Sequence, residues 1–155
     1  MLAADRRRDA LEALALAPPP LEAVTEPERL AAFEMDAYIQ KRERPLAAAL
    51  PDDEAQVASL VAECARRGVP VVSRGAGTGI SGGALPDPEG ILLVLTRLRA
   101  MHRLDPVARV AQVGPGMPNA RVTELAAPAG LHFAPDPSSQ TVSSIGGNVA
   151  ENAGG

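Results

Sequence analysis

The apolar positions fall into short runs separated by one clear helical stripe, and that alternation predicts strands packed with helices. Between residues 52 and 68, Val57, Leu60, Val61, Cys64 and Ala65 recur at helical spacing, so one face of a helix turns inward. Asp52, Asp53 and Glu54 suit its positive end and Arg66 and Arg67 its negative end, while Gly68 can take the left-handed cap. Residues 46–50 before this helix and 69–73 after it are apolar runs, which predicts strand, helix, strand: a βαβ unit with a parallel pair. Residues 91–95 form a third run without a polar break, the pattern of a strand buried on both faces.

Beyond that point the pattern changes. Residues 101–105 and 109–113 alternate in character around Pro106, Val107 and Ala108, which predicts a hairpin and a switch of sheet direction. Residues 119–127 read as a helix with Val122, Leu125 and Ala126 inward and Gly130 closing it. At the other end, residues 1–17 read as a short amphipathic helix stopped by Pro18, Pro19 and Pro20. The apolar stretch there is too short and too interrupted for a signal segment or a membrane span. The fold class expected is α/β.

Composition narrows the function. With 155 residues the chain has room for one domain with a core, and with 2% aromatics that core must come from Val, Leu, Ile and Ala. A net charge of -4 and the lack of a continuous basic surface argue against nucleic acid as a partner. Cys64 is the single cysteine, so no internal disulfide forms, and no residues stand at metal-ligand spacing; a reducing cytoplasm is the expected setting.

Candidate chemistry concentrates in residues 74–83, directly after the 69–73 strand, where five of ten residues are glycine. Such a loop can turn successive backbone N–H groups toward an anion such as a pyrophosphate, with Thr78 and Ser81 adding hydroxyls. Gly77, Gly79 and Gly82 have the spacing of a nicotinamide fingerprint, but that motif must open a helix, and Gly83, Pro86 and Pro88 oppose one. Gly83 also stands where a P-loop would need Lys, so ATP and GTP are not expected. A second polar and glycine-rich cluster follows at 135–139 and 145–155. Two backbone-rich loops suit one long, bent ligand.

The stretches RGAGTGISGGALP (74–86), VGPGMPN (113–119) and APDPSSQTVSSIGGNVAENAGG (134–155) together resemble the FAD-linked oxidases of the vanillyl-alcohol-oxidase type. Within that superfamily they are most similar to the flavin subunits of bacterial glycolate oxidases, which stand beside D-lactate and D-2-hydroxyglutarate dehydrogenases. The resemblance runs from about Phe33 to the last residue. It implies a helical segment over 1–32 and, over 33–155, an FAD-binding domain of the PCMH type, incomplete at its C-terminus. Such a domain has a small parallel βαβ subdomain followed by a mostly antiparallel one, with the flavin held between.

By the same resemblance, Arg74, Gly75, Ala76, Gly77, Thr78, Gly79, Ser81 and Gly82 would wrap the FAD pyrophosphate. Pro135, Asp136, Pro137, Ser138 and Thr141 would line the adenosine and ribityl path, and Gly146, Gly147, Asn148 and Ala150 would lie near the flavin. Some relatives attach FAD through a His in the first loop; Ala76 and Thr78 stand here instead, which implies non-covalent FAD. The implied reaction is hydride transfer from the α-carbon of a small 2-hydroxy acid to flavin. Electrons would then pass to an iron–sulfur subunit or a quinone-linked chain, in the cytoplasm or held at the inner membrane through partners. The cap domain that carries the family's substrate and catalytic residues is absent from these 155 residues, so catalytic residues and substrate stay open. A D-lactate dehydrogenase-like flavoprotein and an FAD-binding module or truncated, inactive product are the alternatives.

The remaining candidates are modest. His102 and His132 lack neighbours of a nucleophile arrangement, and Cys64 lies on an apolar helix face, where an inert thiol is usual. Asp36 and Tyr38 would anchor the segment before the first strand. Glu151 and Asn152 read as a helix-start or solvent-facing pair. Arg74 would either meet a phosphate oxygen or hold its own loop by an internal ion pair.

Overall fold

The computed structural model describes residues 3–17 and 20–155, with side chains from Asp5 onward. The expected stop at Pro18 and Pro19 lies outside the described residues. The elements, in chain order, are α1 (Ala3–Leu16), β1 (Glu22–Val24), α2 (Pro27–Leu30) with a 3-10 turn Ala31–Phe33, β2 (Ala47–Leu50), α3 (Glu54–Arg67), β3 (Val71–Arg74) and β4 (Ile91–Val94). A hairpin of β5 (Met101–Asp105) and β6 (Val110–Val113) follows, then α4 (Asn119–Ala126) and α5 (Ile145–Ala150).

One mixed sheet of order β1-β2-β4-β3 carries the N-terminal half, and β5 and β6 form a second, antiparallel sheet. β4 runs parallel to both β2 and β3, with Ala48 and Val72 each opposite Leu92. The expected β2–β3 pair is therefore parallel but not adjacent. β4 is the most apolar strand, each of its four residues at most 4% exposed, and the central position is the one that shields both its faces.

Alternation along the strands divides the core into two layers. Ala49, Ile91 and Leu93 pack with Leu60 and Cys64 of α3 and with Ala10, Ala13 and Ala17 at the N-terminal end. On the opposite face Ala48, Leu92 and Val94 pack with Val24, Leu30 and Phe33. α1, β1 and α2 thus belong to the same core: β1 pairs with β2, α1 rests on α3 and Leu30 of α2 packs under the sheet. Arg67 Nη1 meets Glu12 Oε2 at 2.6 Å across the two helices. A pair this exposed contributes less than about 1 kcal/mol; buried methyl groups do more to hold α1.

α3 is stopped at both ends as its sequence indicates. The Asp53 carboxylate accepts from Gln56 N at 2.8 Å, and Gly68 takes φ 64°. Its buried stripe is Gln56, Leu60 and Cys64 at i, i+4, i+8, not the wider set expected. Val61 is 41% exposed and Ala65 is exposed as well. Gln56 is buried because its amide is satisfied twice: Nε2 donates to the Pro20 carbonyl and Oε1 accepts from Asp52 N. In α4 the inward residues are Asn119, Val122 and Ala126, with Leu125 only half-buried.

Candidate functional site

The glycine loop leaves the carboxyl end of β3, beside the carboxyl end of β4, where open parallel sheets place ligands. No helix follows it; residues 75–90 run as turns and bends. Gly77 (φ 74°) and Gly82 (φ 79°) need the left-handed region that glycine tolerates. Among the described residues, none of the N–H groups from Gly75 to Gly83 donates to a backbone carbonyl. These donors are open to an acceptor from outside the chain, water or an anion.

What lies behind the loop explains why it keeps this shape. Arg74 Nη1 donates to the Met35 carbonyl at 2.8 Å, and Ala37 N donates to the Gly77 carbonyl at 3.0 Å. Burial pulls the Arg74 guanidinium below its ordinary pKa, and nearby Asp36 opposes that shift. This bond ties Arg74 to the segment behind its loop, through a carbonyl and not through the ion pair expected. Asp36 anchors its own segment by accepting from Tyr38 N at 2.8 Å. Its Oδ2 is buried and, among the described residues, has no hydrogen-bond partner.

The facing wall is built on residues 113–119. Gly114 N and Gly116 N donate to the carbonyls of Ala100 and Leu98, fixing one side of this segment. On its other side Asn119 N donates to Ser143 O, Ile145 N to Met117 O and Gly146 N to Pro115 O, at 2.8 to 3.0 Å. These bonds lay the second glycine cluster along the first. Ser144 then caps α5 by accepting from Gly147 N, which overcomes the poor helix propensity of the Gly146, Gly147 pair. The sequence reading missed this helix; Ser144 three residues before Gly147 was the available signal.

Asn119 ties the wall together. It is 1% exposed, donates from Nδ2 to the Pro135 carbonyl at 2.7 Å, and accepts at Oδ1 from Asn148 Nδ2 at 2.6 Å. Asp136 N donates to the Gly154 carbonyl at 2.9 Å, which folds the chain end back against the 135–138 segment.

Between the two walls lies a groove of about 320 Å³. Of the residues expected at the site, Arg74, Gly75, Ala76, Gly77, Thr78 and Gly79 line it from the first loop, and Gly146, Gly147, Asn148 and Ala150 from α5. Ser81, Gly82, Pro135, Asp136, Pro137 and Ser138 do not line it, and Thr141 borders a different groove with Met101, Met117 and Arg121. Ser139, Ser143 and Ser144 line it without having been expected. Ser143 Oγ is buried and lacks a partner among the described residues, so it is a further free hydroxyl at the wall. Glu151 is exposed, as the solvent-facing alternative expected, but it stands at the end of α5 and not at a helix start, lines the groove and accepts a hydrogen bond from Ser81 Oγ.

The remaining candidates stay apart from this groove. His102 and His132 are exposed, and His132 borders a separate, largely apolar groove of about 490 Å³ between the hairpin and α4. Cys64 is fully buried in the core, and burial pushes its thiol up to about 11. Among the described residues no three His, Cys, Asp or Glu side chains group as a metal site, and no helix is long and apolar enough to cross a membrane.

Comparison with known proteins agrees with this geometry. Over 149 residues the chain is 48% identical to the glycolate oxidase subunit GlcD of Escherichia coli strain K12, covering 96% of this chain and 30% of that protein. It is 36% identical over 105 residues to the D-lactate dehydrogenase of Archaeoglobus fulgidus, covering 68% and 23%. Among solved structures, an alkyldihydroxyacetonephosphate synthase superposes with a TM-score of 0.78 at 18% identity, covering 92% of this chain and 28% of that one. The chain thus spans less than a third of the length of each of these proteins. A groove walled by free N–H groups and hydroxyls, with glycines where the walls approach, fits a dinucleotide with an anionic middle. Residues 45–155 match the family described as the FAD binding domain, and the chain belongs to that family, with FAD as its cofactor.

Proposed function

We propose that this chain is the cofactor-binding part of an FAD-dependent dehydrogenase that oxidises a small 2-hydroxy acid, glycolate first among them. The observation that carries the reading is the stretch Gly75 to Gly79, whose N–H groups have no backbone acceptor and which lines a groove opposite a second glycine-bearing wall, in a chain 48% identical to a glycolate oxidase subunit. FAD, when bound, supplies the acceptor for the hydride leaving the substrate's α-carbon. The chain's own residues bind and orient. The loop from Arg74 to Gly82 wraps the pyrophosphate through its backbone, and Gly146, Gly147, Asn148 and Ala150 face the flavin end.

Pro135, Asp136, Pro137 and Ser138 act from behind the wall, held by Asn119 and by the Gly154 carbonyl. Thr141, on another surface, is left out of the site. Binding is non-covalent, since Ala76 and Thr78 offer no nucleophile suited to flavin attachment. The groups that hold the substrate and take its hydroxyl proton lie outside these residues, and electrons leave through an iron–sulfur subunit. A second reading, oxidation of D-lactate, is favoured by the identity to the Archaeoglobus enzyme.

The test is a visible absorption spectrum of the purified chain after adding FAD and removing the excess. Retention of the flavin band near 1:1 is expected; complete loss of it would count against the groove as a flavin site. In the longer protein carrying this chain, bleaching of that band by glycolate but not D-lactate supports the first substrate, and the reverse supports the second.

A further inference from the structure

Glu151 stands where the two glycine-rich walls meet. It caps the C-terminal end of α5, its N–H donating to Gly147 O at 2.9 Å, and its carboxylate crosses to the first loop, where Ser81 Oγ donates to Oε2. Among the described residues no other side-chain hydrogen bond joins loop 75–83 to α5.

The carboxylate lies over two glycines of the first loop and leaves no room for a side chain at Gly83. A Cβ on Gly79 would stand 3.4 Å from both Glu151 Cδ and Oε1, and one on Gly83 would overlap Oε1. Neither glycine has a positive φ, so neither is required by a left-handed turn. A carboxylate is also the wrong charge to sit beside a pyrophosphate, so its use at this point is to hold the loop and not to bind the phosphates.

We propose that Glu151 is a positioning residue: through Ser81 it clasps loop 75–83 to α5 and sets the width of the groove, and Gly83 is the glycine that admits its carboxylate. The effect on cofactor binding rests on the flavin reading; the clasp itself does not.

The chain is therefore compared as wild type, Glu151→Ala, Glu151→Gln, Ser81→Ala, Gly83→Ala and the pairs Ser81→Ala/Glu151→Ala and Gly83→Ala/Glu151→Ala. Amide hydrogen exchange over residues 75–83 is read without FAD, and FAD affinity by quenching of flavin fluorescence. For loss of one partly exposed hydrogen bond, Glu151→Ala and Ser81→Ala should each speed exchange and weaken FAD about three- to tenfold, the pair no more than either alone. Glu151→Gln should keep most of both, because its amide oxygen still accepts from Ser81. Gly83→Ala should match Glu151→Ala by displacing the carboxylate, and should add nothing once Glu151 is already Ala.

Additive losses in the Ser81/Glu151 pair, or an undiminished Gly83→Ala effect in the Glu151→Ala background, overturn the clasp. Unchanged exchange and unchanged FAD affinity in every variant also overturn it while leaving the flavin site intact. The expected exchange pattern in a chain that takes no FAD supports the clasp and removes the flavin reading instead.

Discussion

Replacing Asn119 by Ala tests whether one buried amide holds the α5 wall. Asn119 is 1% exposed, and its side chain makes two bonds, to the Pro135 carbonyl at 2.7 Å and from Asn148 Nδ2 at 2.6 Å. Truncation leaves both partners unpaired, and each unsatisfied buried group costs about 1–3 kcal/mol. Pro135 and Asn148 are half-buried and can recruit some water, so the low half of that range applies to each. The two groups together cost about 2–4 kcal/mol. A urea slope of about 2 kcal/mol per M turns this into a midpoint lower by about 1–2 M. FAD retention should fall in parallel, because Asn148 lines the groove. Asn119→Asp keeps the acceptor for Asn148 but sets a carboxylate oxygen against the Pro135 carbonyl, so it should be no milder than Ala. The assay is urea unfolding followed by far-ultraviolet circular dichroism. A change under about 0.5 kcal/mol for Asn119→Ala, or a wild-type midpoint for Asn119→Asp, would refute the reasoning.

Two further outcomes follow from packing and burial. Gly146→Ala brings its Cβ to 2.8 Å from Pro115 Cβ and 3.0 Å from the Pro115 carbonyl, neither able to move freely, and should cost about 1–3 kcal/mol with loss of bound flavin. Gly147→Ala meets Ser144 Oγ at 3.2 Å inside a helix, where Ala is favoured over Gly by about 0.5–1 kcal/mol; thermal unfolding should show it near neutral, and the reverse order of the two variants would sink the argument. Cys64 should resist a thiol reagent at pH 8 until the chain is unfolded, since burial raises its thiol from 9.0 to about 11. A raised acid favours the neutral form in the fold, so this contribution to stability is intact below pH 9 and lost as pH rises toward 11. Unfolding at pH 8 and 10.5 should therefore show a steeper loss for wild type than for Cys64→Ala; equal slopes would contradict it.

The parts of the fold legible in the sequence are those whose signal is local. α3 announces itself by an N-cap Asp, a stripe and a terminal Gly, and the four-residue run of β4 could only be a strand shielded on both faces. What escaped the reading depended on distant residues. β1 has three residues, Glu22, Ala23 and Val24, too few for alternation to show, and it exists because β2 offers it an edge. The insertion of β4 between β2 and β3 is a choice among partners of similar apolar character, decided by which strand most needs two neighbours. α5 was hidden by its own Gly146 and Gly147. In the site, the glycines were visible but their separate reasons were not: Gly77 serves a left-handed turn, Gly146 the close approach of Pro115, and Gly83 the carboxylate of Glu151.

The distribution of roles among those glycines bears on how the site works. Each wall is anchored from outside the groove, the first by Arg74 and Ala37 on the Met35 and Gly77 backbone, the second by Asn119 and the 113–119 segment. Inside the groove the chain presents N–H groups and hydroxyls, with Arg74 turned to a carbonyl and Glu151 turned to Ser81. Neutral donors held in place need no reorganisation when an anion arrives, and they tolerate the alternation of charged and uncharged portions along a dinucleotide better than a lysine or arginine cluster would. Among the described residues Arg74 is the one cation lining the groove, so a ligand with an anionic middle and uncharged ends would meet mostly neutral surface there.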